Sequence, residues 1–198
     1  EIAPLLRFFS SKSGDEYTSL DSYVENMPEG QKSIYYVTGE GREGAAMSPV
    51  VEKLTSRGYE VLFGTEPLDE IMIESLRNYK EKNIVDAAKE NLKLEDGQDE
   101  EARKKKESLT NEYKQVATYL ETLLKHKVSK VVVTDLLTDS PAVLVQSAYG
   151  MSPTIQRYMR AQSVASGGDG SLPGMNKAVL EVNPNHPIIK DLDRMVKQ

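Results

Sequence analysis

The chain has 198 residues, long enough for one large domain or two of the common size of ~100 residues. Apolar residues make up 38% and charged residues 28%, a balance that folds with a wet surface, and no apolar run approaches the ~20 residues that a membrane-spanning helix needs. The 25 basic residues stand against 31 acidic ones for a net charge of −6, which argues against a general nucleic-acid binder, and the absence of cysteine excludes disulfides, thiol nucleophiles and zinc–thiolate sites.

Residues 5–9 (LLRFF) read as the end of a helix, and Ser10 to Gly14 as a turn. A short helix opens after Thr18 or Ser19, whose hydroxyl can accept an orphan amide of the first turn, and Met27-Pro28-Glu29-Gly30 closes it. Residues 33–38 (SIYYVT) are β-branched and aromatic, the pattern of a buried strand. Ser48-Pro49 marks a helix start with Pro at its first position, Val50, Val51 and Leu54 on one face, and Gly58 at its end. Residues 60–64 form the next strand. Glu66-Pro67 starts a helix carrying Leu68, Ile71, Met72, Leu76 and Tyr79 at helical spacing, and residues 83–87 make a third strand. Strands alternating with helices predict a small, mainly parallel α/β layer.

The composition shifts from Lys89 to Glu107. Asp99 to Lys106 is almost all charge, which predicts a linker and then the solvated start of a long helix. Leu109, Tyr113, Val116, Leu120 and Leu123 follow as a core-facing stripe, with the helix running to about His126. Residues 130–137 and 141–148 read as strands, and the short connection between them predicts an antiparallel hairpin. A helix over 153–164, a glycine-rich loop over 166–174, a strand over 178–182 and a last helix from His186-Pro187 complete an α+β half. The fold class is therefore α/β followed by α+β, the second part being a long helix and a small sheet with a β-hairpin, flanked by helices.

The clearest enzyme-like signal is the run from Gly39 to Gly44, a G-x-G-x-x-G after a strand, with Glu66 about 20 residues further on where a ribose-binding acid would fall. In a dinucleotide site the helix must begin inside the glycine run, because the phosphates sit on its first amides. The best helix start here is Ser48, and Glu40 and Glu43 place carboxylates where phosphates would go. A solvent loop is the favoured reading, and a small nucleotide-binding α/β enzyme using residues 39–44 is the alternative. Only His126 and His186 are present, so a three-histidine metal site is impossible, and His186 before Pro187 reads as a fixed turn at a helix start. No catalytic, cofactor-binding or metal-ligating residue is assigned. The helix over 151–165 is the binding candidate: Met151, Ile155, Tyr158 and Met159, with Leu172 and Met175 beyond, are apolar, many of them soft or aromatic, beside a loop too polar to bury them all.

Several stretches together resemble the ninety-kilodalton heat-shock chaperone family. They are Leu6-Arg7-Phe8, Ser11-Lys12-Ser13-Gly14-Asp15-Glu16, Thr18-Ser19-Leu20, Tyr23-Val24, residues 31–36 (QKSIYY), Ser48-Pro49, Glu60-Val61-Leu62, residues 66–70 (EPLDE), Lys130-Val131 and residues 183–190 (NPNHPIIK). The resemblance covers essentially the whole chain. It implies the end of a middle domain over 1–94 and the start of a C-terminal, dimerising domain over 95–198. The opening at Glu1 without Met and the closing Met195-Val196-Lys197-Gln198 fit a piece of a longer protein.

The resemblance further implies an ATP-dependent chaperone of the stress response that binds partly folded clients and couples ATPase-driven movement to its dimer end. ATP and magnesium belong to the full-length parent, whose nucleotide pocket and catalytic arginine lie in other parts, so the piece itself is not expected to be an enzyme or to hold a cofactor. Clients and co-chaperones are the implied partners, without nucleic acid or membrane. The parent is expected to be a homodimer, and the piece a monomer or weakly associated. The family's client-contacting segment maps onto residues 149–162, with Met151 in place of the usual tryptophan. Residues 18–27 and 188–192 look most like organellar members, plastid-type or mitochondrial.

Overall fold

The computed structural model describes residues 2–90, 92, 100–134, 137–147, 150, 152–169 and 177–198. The chain forms two compact units. Glu1–Ala88 and Met151–Met175 make the first, and Lys89–Gly150 and Asn176–Gln198 make the second.

In the first unit, strands β1 (Arg7–Ser10), β2 (Thr18–Ser19), β3 (Ser33–Thr38), β4 (Val61–Gly64), β5 (Asn78–Tyr79) and β6 (Lys82–Asp86) pair in the order β2-β1-β4-β3-β6-β5. The inner strands β4, β3 and β6 run parallel, while β1 pairs antiparallel with β4, β2 antiparallel with β1 and β5 antiparallel with β6. The layer is thus parallel only at its centre. The reason is burial on both faces: Ile34, Tyr35, Tyr36 and Val37 of β3 and all four residues of β4 are buried, the pattern that crossover helices impose on parallel strands. Helices α1 (Leu20–Glu25), α2 (Gly41–Ala46), α3 (Pro49–Thr55) and α4 (Pro67–Leu76) fill the connections. Phe8, Leu20, Tyr23, Ile34, Tyr36, Leu62, Ile73 and Tyr79 pack into one core.

Three sequence expectations change here. Residues 5–9 are not a helix end. A 3-10 turn over Ala3–Leu5 leads into β1, where Phe8 and Ser10 are buried as the strand pairs with β4. A helix does begin inside the glycine run: Gly41 sits at φ +69°, and a Cβ on Gly39 would lie 2.7 Å from the Ala45 Cα, so these glycines serve a tight turn and the close packing of α2. In α4 the buried residues are Glu70 and Ile73, while Leu68, Ile71 and Met72 face solvent and Tyr79 belongs to β5. Other local signals hold. The Ser19 Oγ accepts from the Ser22 N–H at 3.0 Å as the cap of α1, and Val50, Val51 and Leu54 of α3 are all buried.

The second unit holds α5 (Glu100–Glu112), α6 (Lys114–Leu123), β7 (Val128–Val133), β8 (Ala142–Val145), β9 (Ala178–Val182) and α8 (Pro187–Val196). The expected long helix is interrupted at Tyr113, and the expected hairpin is absent. Strand β9 lies between β7 and β8, parallel to the first and antiparallel to the second. Burial explains the order. Val179 and Val182 of β9 are enclosed, which suits a central strand, whereas Leu144 of β8 is exposed, which suits an edge. The connection from β7 to β8 is tied down by Asn183, whose Nδ2 donates to the carbonyls of Leu137, Thr138 and Ser140, each at 3.2 Å.

Tyr113, Val116, Val128, Val131, Val133, Val182 and Ile189 form the core of this unit, with Leu109, Leu120, Leu124, Leu192 and Val196 packed against it. Leu123, expected in the core-facing stripe, is exposed, as is Ile188 of α8. The Tyr113 hydroxyl donates to the Pro184 carbonyl at 2.9 Å, and the His186 Nδ1 accepts from the Ile188 N–H at 3.2 Å as the cap of α8. No described helix is long and apolar enough to cross a membrane.

Candidate functional site

The candidate helix α7 (Pro153–Ala165) belongs to the first unit and packs against α4. Its start follows from Ser152-Pro153. The Ser152 Oγ accepts from the Ile155 N–H at 3.1 Å, and Pro occupies the first turn, where a missing amide costs nothing. Along α7, Ile155 is half-buried, Tyr158 is 52% exposed, Met159 is 36% exposed and Val164 is exposed as well. Met151, Leu172 and Met175 lie outside the described residues.

The neighbouring helix α4 adds three of the apolar residues that stand at helical spacing in the sequence. Leu68 of α4 is 68% exposed and Ile71 is 48% exposed, with Met72 also open to solvent. Leu68, Ile71 and Met72 recur at i, i+3 and i+4, so they share one face. The signal was present in the sequence, since Ile73 offers a second apolar register on the same helix. Periodicity alone does not say which of two registers faces the sheet.

The charged groups nearby are largely engaged. Arg157 of α7 pairs with Glu40 at 2.7 Å, and Arg42 pairs with Asp15 while its guanidinium lies 5.6 Å from the centre of the Phe9 ring. Two carboxylates of the glycine-run reading therefore have other partners or roles. Glu40 meets an arginine, and Glu66 caps α4 together with Asp69, whose Oδ2 accepts from the Glu66 N–H at 3.0 Å. Beneath α4, Tyr36 is buried close to Asp86, Glu74 and Glu70. Burial first, and then these carboxylates, push its phenol pKa up, so Tyr36 remains a neutral hydroxyl. Among the described residues no group of three or more His, Asp or Glu is arranged to hold a metal ion.

The packed helices α4 and α7 both turn apolar side chains to water, Leu68, Ile71 and Met72 on one and Tyr158 and Met159 on the other. The family model described as Hsp90 protein matches residues 1–198, and the chain belongs to that family. Among curated relatives it is 44% identical over 99% of its length to the Arabidopsis thaliana chloroplastic heat shock protein 90-5, and 42% identical over 97% to the mitochondrial heat shock protein 90-6 of the same plant. It is 41% identical over 98% of its length to the endoplasmin homolog of Caenorhabditis elegans. These matches take up 24%, 23% and 26% of the relatives, so the chain spans about a quarter of their length. The solved middle domain of a Plasmodium falciparum heat shock protein is 49% identical, over 43% of this chain and 36% of its own, with a TM-score of 0.42.

Proposed function

We propose that this chain supplies a client-contact surface to an Hsp90-family molecular chaperone, and that its occupants are partly folded polypeptides. The observation that carries the reading is the solvent-facing apolar character of α4 and α7 together: Leu68, Ile71 and Met72 on one, Tyr158 and Met159 on the other. Unbranched methionine and amphipathic tyrosine re-pack against varied apolar partners, which a chaperone needs and a selective pocket does not. The chain as a whole carries a net charge of −6, and net charge of one sign opposes self-association. Met151, Leu172 and Met175 belong to the same proposal.

ATP with magnesium, its hydrolysis, co-chaperones and homodimerisation belong in this reading to the full-length chaperone. Its middle domain would contribute residues 1–94 and its C-terminal domain residues 95–198, with no enzymatic activity in this chain. An organellar setting, plastid or mitochondrial, is supported by the compartments named for the two plant relatives.

The test is suppression of aggregation of a heat-denatured protein by the wild-type chain and by Ile71→Glu, Tyr158→Glu and Met159→Glu. Burying an unpaired carboxylate in an apolar contact costs several kcal/mol, so each variant should lose about tenfold or more in effective affinity while its unfolding midpoint stays near wild type. Wild-type suppression by all three correctly folded variants would remove the assignment. The alternative, a nucleotide site at residues 39–44, predicts a stabilisation of about 2.7 kcal/mol by NAD or ATP at a hundred times its dissociation constant, and we expect none.

A further inference from the structure

We propose that Glu70 is a positioning residue for α7, acting through the hydroxyl of Ser152; the proposal rests on the client-contact reading of that helix. Ser152 is 1% exposed and Glu70 is 3% exposed. The Ser152 hydroxyl donates to the Glu70 carboxylate, and its oxygen accepts the Ile155 N–H at 3.1 Å. One buried hydroxyl thus uses its single proton on α4 and a lone pair on α7. The cap of α7 is in this way fastened to a second helix, where an ordinary cap would be satisfied by its own chain.

Charge points the same way. The first turn of α7 contains no acidic residue of its own. A carboxylate at a helix N-terminus is favourable, because the unpaired amides there carry partial positive charge. Glu70 supplies that carboxylate from α4. It does so in a crowded place, since Tyr36 of β3 is close to Glu70, Glu74 and Asp86 alike. A carboxylate kept buried beside other acids needs donors, and the Ser152 hydroxyl is one of them.

The geometric consequence concerns direction. Successive residues of a helix point ~100° apart, so the set of the first turn decides where Ile155, Tyr158 and Met159 face. Glu70 sits between Leu68 and Ile71, whose side chains are exposed. A single helix therefore presents one apolar stripe outward and, from its inner side, aims the helix that presents the other. Loss of the link leaves both stripes present but no longer held in one orientation.

The experiment uses this chain with Ser152→Ala, Ser152→Thr, Glu70→Ala and Glu70→Gln. Two quantities are read: hydrogen exchange at the Ile155 amide, and the dissociation constant for fluorescent, reduced and permanently unfolded α-lactalbumin. Both alanine variants should speed Ile155 exchange about fivefold or more, the effect of losing a helix cap, and weaken lactalbumin binding by a similar factor, while the amides of β3 exchange as in wild type. Ser152→Thr keeps the hydroxyl and should restore both. Glu70→Gln keeps the shape and an acceptor oxygen, removes the charge, and should give a smaller change in the same direction; it decides the matter if Glu70→Ala does not fold. Unchanged Ile155 exchange in folded Glu70 variants would overturn the proposal, as would faster exchange with unchanged lactalbumin binding where Tyr158→Glu does weaken that binding. Wild-type binding by Tyr158→Glu would overturn the client reading alone, and Ile155 exchange would still report whether Glu70 holds α7.

Discussion

The hydroxyl of Tyr23 serves several partners deep inside the first unit. It donates to the Glu60 carbonyl at 2.6 Å and accepts from the Tyr35 N–H at 3.1 Å and from the Gln31 Nε2 at 3.2 Å. A phenol on α1 thereby joins that helix to β3 and to the chain entering β4. Removing one atom leaves a buried carbonyl and a buried amide without this partner, and each such group costs about 1–3 kcal/mol. Tyr23→Phe should therefore lower the urea midpoint by the equivalent of about 2 kcal/mol or more with an unchanged m-value. A midpoint within error of wild type would show that water replaces the hydroxyl. The sequence shows Tyr23 only as an apolar-compatible position in a short helix. Its polar partners are 8, 12 and 37 residues away in the chain, beyond any local pattern. The same holds for Asn183, whose amide ties down a loop more than 40 residues earlier.

Helix α4 contains the sharpest discrepancy between pattern and packing. Ile73 is enclosed at 1% exposure, while Ile71, two residues earlier, is nearly half exposed. Ile73→Ala opens a cavity under the helix and should cost about 2–5 kcal/mol, whereas Ile71→Ala should stay within about 0.5 kcal/mol. Thermal unfolding of the two variants checks the register, and equal costs would refute it. Elements were legible where a local rule has one solution. Ser48-Pro49 starts α3, Pro67 starts α4, His186-Pro187 starts α8, and the β-branched and aromatic run over 33–38 is β3. They were illegible where two solutions share one pattern. Leu-Arg-Phe-Phe fits a helix end or a strand, and only antiparallel pairing with β2 and β4 selects the strand. The glycines at 39–44 fit a phosphate loop or a tight helix entry, and the approach of Ala45 to Gly39 selects the entry. Strands β7 and β8 looked like hairpin partners because β9, which separates them, lies more than 30 residues further along the chain. For the candidate site, the softness of α7 was readable from composition, whereas the outward stripe of α4 required knowing which side of α4 meets the sheet.

At the scale of the whole molecule, the chain passes between its two units after Ala88, after Gly150 and after Met175, yet each core draws only on residues of its own unit. Cooperativity follows shared packing rather than chain continuity, so two separate cores predict two separable unfolding reactions. Val116, fully buried in the second core, gives the means to test this. Val116→Ala removes two methyl groups from a closed site and should destabilise that unit by about 2 kcal/mol. Hydrogen exchange at Val131 and Val133 of β7 should then accelerate roughly thirtyfold, while the amides of Ile34 and Val37 in β3 keep their wild-type rates. The contact helix α7 is continuous in sequence with the second unit at Gly150 but counts with the first. Its amides from Gln156 onward should therefore follow β3 and remain unchanged in Val116→Ala. Acceleration of α7 together with β7 would assign the helix to the wrong core, and acceleration everywhere would mean one cooperative body with two hydrophobic centres.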